Sequence, residues 1–141
     1  MMMRPPTTPG PVAAILNAPG VAVISRVLLT SPFWISGLLK AFDFESAVGE
    51  AAHFGLRPAV LTAMIVLLLQ LGASLAVILG QRVWLSAGAL GVFTVLATLV
   101  GHAFWTLAEP MARFHDMNAF MANVGLLGGL ILAAMLSERR R

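Results

Sequence analysis

Apolar residues fall into four long blocks, about Val21–Leu39, Ala59–Leu79, Val83–Trp105 and Ala119–Leu136, and most of the charged residues lie between or outside them. At about 1.5 Å per helical residue, each block can cross a hydrocarbon core roughly 30 Å thick. The pattern predicts four transmembrane helices. The first connection, KAFDFESAVGEAAHFGLRP, mixes apolar and acidic positions in the manner of a short amphipathic helix lying on the membrane surface. Gly80, Gln81 and Arg82 leave room only for a tight turn, which makes the second and third spans an antiparallel hairpin. The third connection, TLAEPMARFHDMN, contains Pro110 and is long enough to fold over the end of the bundle.

These elements define an all-α membrane protein, a four-transmembrane-helix antiparallel bundle with both termini on one side. Residues 1–18 are proline-rich, with no long apolar core, and are expected to be a disordered cytoplasmic segment with neither a signal peptide nor a helix. Residues 19–137 form the transmembrane domain, and 138–141 a basic cytoplasmic tail. Orientation follows from lysine and arginine. Arg4, Arg82, Arg139, Arg140 and Arg141 fall on the terminal side, and Lys40, Arg57 and Arg113 on the other, so the termini are expected in the cytoplasm.

Composition narrows the chemistry. A hydrophobic fraction of 59%, a charged fraction of 11% and a mean hydropathy of +0.90 make lipid the main solvent. The chain has no cysteine and no tyrosine, so it has no disulfide, thiolate metal site, dithiol redox centre or phenol of its own. The net charge of +3 comes from scattered arginines and the tail, a membrane-anchor pattern that points away from nucleic acid. His53, His102 and His115 have no metal-ligand spacing, and no phosphate-binding glycine loop or nucleophile elbow occurs.

The informative residues are the polar ones at membrane depth. Arg26 lies about a turn and a half inside the first span, where a central arginine costs on the order of 2.5–3.5 kcal/mol. It needs a partner or must reach the surface, and no span contains an acid to neutralise it. Arg26, Phe33, Gly37 and Lys40 share one helical face, which should turn toward the bundle. Pro32, preceded by Ser31, interrupts the helical hydrogen bonding of that span. Gln70, in the middle of the second span, can bond Arg26 or serve as glue between helices. Thr94, Thr98 and His102 form a second polar face, bordered by Trp105 as an interfacial residue. Asn123 lies at a depth similar to His102. Together with Ser36 and Lys40, His102 and Asn123 form a polar layer toward the outer face, where a cation, a titratable imidazole and an amide could hold a quinone-like carbonyl compound or a small anion. The plainer reading of each is packing or interfacial placement. Gly88, Gly91, Gly125, Gly128 and Gly129 are read as sites of close helix approach.

The first span (RVLLTSPFWISGLLKAFDF), the stretch LLLQLGASLAVILGQR, GHAFW and NAFMANVGLLGGLILAA, in that order and spacing, resemble the DoxX family of small bacterial membrane proteins. The likeness covers about residues 20–136. It implies a multi-pass four-helix protein of the bacterial inner membrane with cytoplasmic termini. The family includes a subunit of a thiosulfate:quinone oxidoreductase, partners of oxidative-stress complexes and assembly helpers. Two functions follow as expectations. One is a redox-associated subunit binding a quinone at Arg26, Lys40, Gln70, His102 and Asn123 beside an oxidoreductase partner, with no covalently bound cofactor. The other is a non-catalytic scaffold or assembly factor. A homo-oligomer is compatible with either. Family members often carry glutamate where this chain has Gln70, which removes a carboxylate that could pair with Arg26 or relay protons.

Overall fold

The computed structural model describes residues 8–139, so the expected disorder of residues 1–7 and the Arg140–Arg141 part of the tail lie outside the described residues. Six α-helices follow in order: α1 (Gly10–Leu16), α2 (Pro19–Phe42), α3 (Phe44–His53), α4 (Ala59–Leu79), α5 (Val83–Gly101) and α6 (Pro110–Glu138). Among the described residues, four helices are long and apolar enough to cross a membrane, those beginning at Pro19, Ala59, Val83 and Pro110.

Prolines start helices here more often than they break them. Pro9 precedes α1 and Pro11 lies in its first turn, where an absent N–H leaves nothing unpaired. This corrects the expectation of no helix within residues 1–18: VAAIL continues the turn, and Asn17 Nδ2 closes it by donating to the Ala13 carbonyl at 2.7 Å. Pro110 likewise begins α6, and the Glu109 carboxylate caps it by accepting from the Met111 and Ala112 N–H groups. The fourth helix therefore starts well before Ala119, and the connection expected to fold over the bundle shortens to residues 102–109. At about 43 Å, α6 exceeds a hydrocarbon core, so its polar first two turns stand beyond the apolar block.

Pro32 lies inside α2, where it cannot donate to the Leu28 carbonyl. Ser31 compensates: its hydroxyl donates to that carbonyl at 2.8 Å. The amphipathic connection is realised as α3. Asp43 caps it by accepting from the Ser46 N–H at 3.0 Å, and Ala47 and Ala51 form its buried face.

α2 packs chiefly on α4 and α5 on α6, and the two pairs meet between α4 and α5. The turn joining α4 to α5 uses Gly80 at φ 73° and Arg82 at φ 45°. The core of Phe33, Val77, Val83, Ala87, Leu90 and Leu130 lies in the half of the bundle nearest this turn. Close approach there depends on glycine. A Cβ on Gly129 would come within 2.8 Å of Leu29 Cδ1, where α6 meets α2. Gly88, Gly125 and Gly128 have nothing within 4 Å of a Cβ position, so they are not approach points within this chain.

Candidate functional site

The half of the bundle away from the α4–α5 turn is built differently. Where α3, α4 and α5 meet, small residues (Ala47, Ala51, Ala63, Ala97 and Gly101) replace the large ones of the core and leave a cavity of about 470 Å³. Apart from Thr62 its walls are otherwise apolar, with Phe54, Val66, Phe93 and Val100 among them, and Lys40, Glu50 and His102 are its ionisable side chains. Such a volume falls within the usual range for small-molecule sites, roughly 300–1,000 Å³, and so does the mix of apolar wall and few polar groups. Leu96 and Val100 on its α5 side are 60% and 51% exposed, which leaves this wall open toward lipid.

Lys40, in the last turn of α2, is held from two sides. Its ammonium pairs with Glu50 Oε2 at 3.0 Å and donates to Ser36 Oγ at 3.1 Å. Gln70 Nε2 donates to the same hydroxyl at 3.3 Å, so α2, α3 and α4 are joined through Ser36 and Lys40. Gly37 allows this junction: a Cβ there would lie 2.8 Å from the Leu71 side chain and 3.4 Å from Gln70 Cβ.

His102 is not on the helical face expected from Thr94 and Thr98. α5 ends at Gly101, short of Trp105, and His102 caps it at φ −128°. Phe104–Thr106 then form a 3-10 turn whose Phe104 and Trp105 pack edge-on against Phe120 of α6. Leaving the helix lets His102 line the cavity while its Nδ1 lies 3.3 Å from Asp116 Oδ1 on α6.

Of the five residues singled out, Lys40 and His102 share the cavity and Gln70 adjoins it through Ser36. Asn123 faces elsewhere, donating to Thr98 Oγ1 at 2.9 Å between α5 and α6, so the expected layer of Lys40, His102 and Asn123 divides in two. Arg26 belongs to the opposite end. Its guanidinium folds over the α4–α5 turn, where a Cβ on Gly80 would lie 2.6 Å from Nη1. A cation there complements the carbonyl end of α4, and Gln70 bonds Ser36 in place of Arg26.

Sequence reasoning missed Glu50 and Asp116, the two acids that lie against Lys40 and His102. Both had a signal. Glu50 directly precedes Ala51 in α3, three residues after Ala47, so it borders the helix's buried alanine face. Extending the α6 spacing back from Asn123 through Phe120 reaches Asp116 on one face. Among the described residues, no three potential metal-ligating side chains come together.

Comparison with known proteins gives two results. The DoxX family model matches residues 21–103. The chain is similar to the inner membrane protein YphA of Escherichia coli strain K12, 25% identical over 117 residues that cover 83% of each chain. No solved structure matches it.

Proposed function

The chain belongs to the DoxX family, and on that premise we propose that it is a multi-pass inner-membrane subunit that binds a quinone-like lipophilic carbonyl compound and works beside an oxidoreductase partner. The observation that carries this reading is the cavity of about 470 Å³, apolar on its walls and bounded by Lys40, Glu50 and His102. An apolar ring fits among Phe93, Val66 and the alanines. Lys40 Nζ offers a charge-assisted donor to a carbonyl oxygen, and His102, steadied by Asp116, offers a proton donor or acceptor. The lipid-facing wall gives such a ligand a route in from the bilayer. The oxidoreductase partner would supply the two electrons that reduce the quinone, with two protons taken up at its oxygens. The similarity to an inner membrane protein supports that location.

The test is titration of a short-tailed benzoquinone into the purified protein in lipid nanodiscs, with Lys40→Met and His102→Phe beside the wild type. Saturable binding, weakened at least tenfold in both variants, is expected. Equal binding by all three proteins refutes the assignment.

A second reading, a scaffold or assembly factor, is favoured by one observation. Among the described residues nothing lies within 4 Å of a Cβ at Gly88, Gly125 or Gly128, which leaves room on α5 and α6 for a partner helix. In that case Gly128→Leu abolishes partner recovery in a pull-down, and His102→Phe does not.

A further inference from the structure

Among the described residues, two polar atoms inside the bundle have no hydrogen-bond partner, Gln70 Oε1 and Ser74 Oγ. Gln70 is 4% exposed and Ser74 0%, so neither can turn to an interface for a partner. They lie four residues apart on α4, on the face that also buries Ala63 and Val77. At that spacing both side chains rise from one face of the helix, with Cβ atoms about 5–6 Å apart, so their unpaired oxygens are neighbours that one partner can serve.

We propose that Gln70 and Ser74 together hold one water molecule within the bundle. The ligand chemistry follows from the groups. Oε1 of an amide only accepts, so it requires a donor, and a hydroxyl both donates and accepts. A cation would find no carboxylate here, and an apolar group would leave both atoms unpaired. Ser74 folding back onto its own helix would satisfy the hydroxyl and leave Oε1 stranded. A water that donates one proton to Oε1 and accepts the Ser74 Oγ–H satisfies both groups.

The water acts at a distance. With Oε1 engaged, the Gln70 amide keeps its NH₂ turned to Ser36 Oγ at 3.3 Å, and Ser36 in turn holds Lys40 Nζ at 3.1 Å. Gln70, Ser74 and their water are thus positioning groups for the ammonium at the cavity rim. They form the inner end of a row running from Glu50 through Lys40 and Ser36. The assignment rests on buried polar atoms alone, so it stands or falls separately from the benzoquinone titration.

The test is a structure of the full chain from lipidic mesophase at better than 2 Å resolution, with thermal unfolding of Ser74→Ala and Ser74→Thr. Expected are density within hydrogen-bonding distance of both atoms, a midpoint lowered by several degrees in Ser74→Ala, and recovery in Ser74→Thr, which keeps the hydroxyl. No density, or a midpoint unchanged or raised in Ser74→Ala because an unpaired hydroxyl has been removed, overturns the proposal.

Discussion

The two halves of the bundle share the four long helices and differ in what those helices bury, with α3 added only in the half away from the α4–α5 turn. Near the α4–α5 turn, Phe33, Val77, Leu90 and Leu130 fill the space between helices and are at most 4% exposed. Toward the other end, alanines at 47, 51, 63 and 97 leave about 470 Å³ open, and Lys40, Glu50 and His102 enter it. A pocket of similar size, about 450 Å³, lies between α5 and α6 beside Trp84, Ala87 and Leu130, but no charged residue lines it, so Lys40, Glu50 and His102 rather than volume alone mark the other cavity as the half that can hold a ligand.

That contrast can be broken by exchanging volume. Leu90→Ala removes a fully buried side chain from the core and is expected to cost about 2–5 kcal/mol, read as a lowered unfolding midpoint in detergent. The next effect compares one substitution in two places. Ala73→Leu crowds the core against which Ala73 packs at a cost of about 1–3 kcal/mol, whereas Ala63→Leu grows into the cavity, changes stability by less than about 1.5 kcal/mol and lowers benzoquinone affinity at least tenfold. A comparable loss of stability in both variants would show that the cavity half is as tightly packed as the other.

Smaller effects sharpen the account. Gly80→Ala forces a Cβ into the space of the Arg26 guanidinium at a φ of 73°, and is expected to cost about 1–2 kcal/mol, with benzoquinone affinity unchanged because the site lies in the other half. The smallest effect is at Glu109. The Met111 N–H first, and then the Ala112 N–H, hold its carboxyl below the ordinary value of 4.5. A group with a lowered folded pKa stabilises above its unfolded value, and that contribution disappears as pH falls through the folded one. The wild type should therefore lose a small part of its stability as pH drops below 4.5, and Glu109→Gln should remove that part of the pH dependence. Parallel pH curves for the two proteins would contradict the capping role.

The fold was legible because a membrane leaves few choices: four apolar blocks, a three-residue turn and an amphipathic connection translate directly into α2 to α6. Helix ends were less so. α6 begins at Pro110 because a proline and a capping acid suit a helix start, although hydropathy sees nothing before Ala119. The residues around the candidate cavity were half legible. Lys40 and His102 were found from depth along the chain, but depth does not give azimuth, so Asn123, at a similar level, faces Thr98 instead. Arg26 stood out as a charge in lipid, and its length takes that charge back to the turn at Gly80. Glu50 and Asp116 were overlooked because they lie outside the apolar blocks, where long-range pairing is invisible to local pattern.

The central claim is that the open half of the bundle is a binding site. The most direct measurement is native mass spectrometry of the wild type and Ala63→Leu, extracted from their own membrane in mild detergent. The account predicts a lipophilic carbonyl compound bound one to one to the wild type and lost from Ala63→Leu. The same compound on both proteins, or none on either, would contradict it.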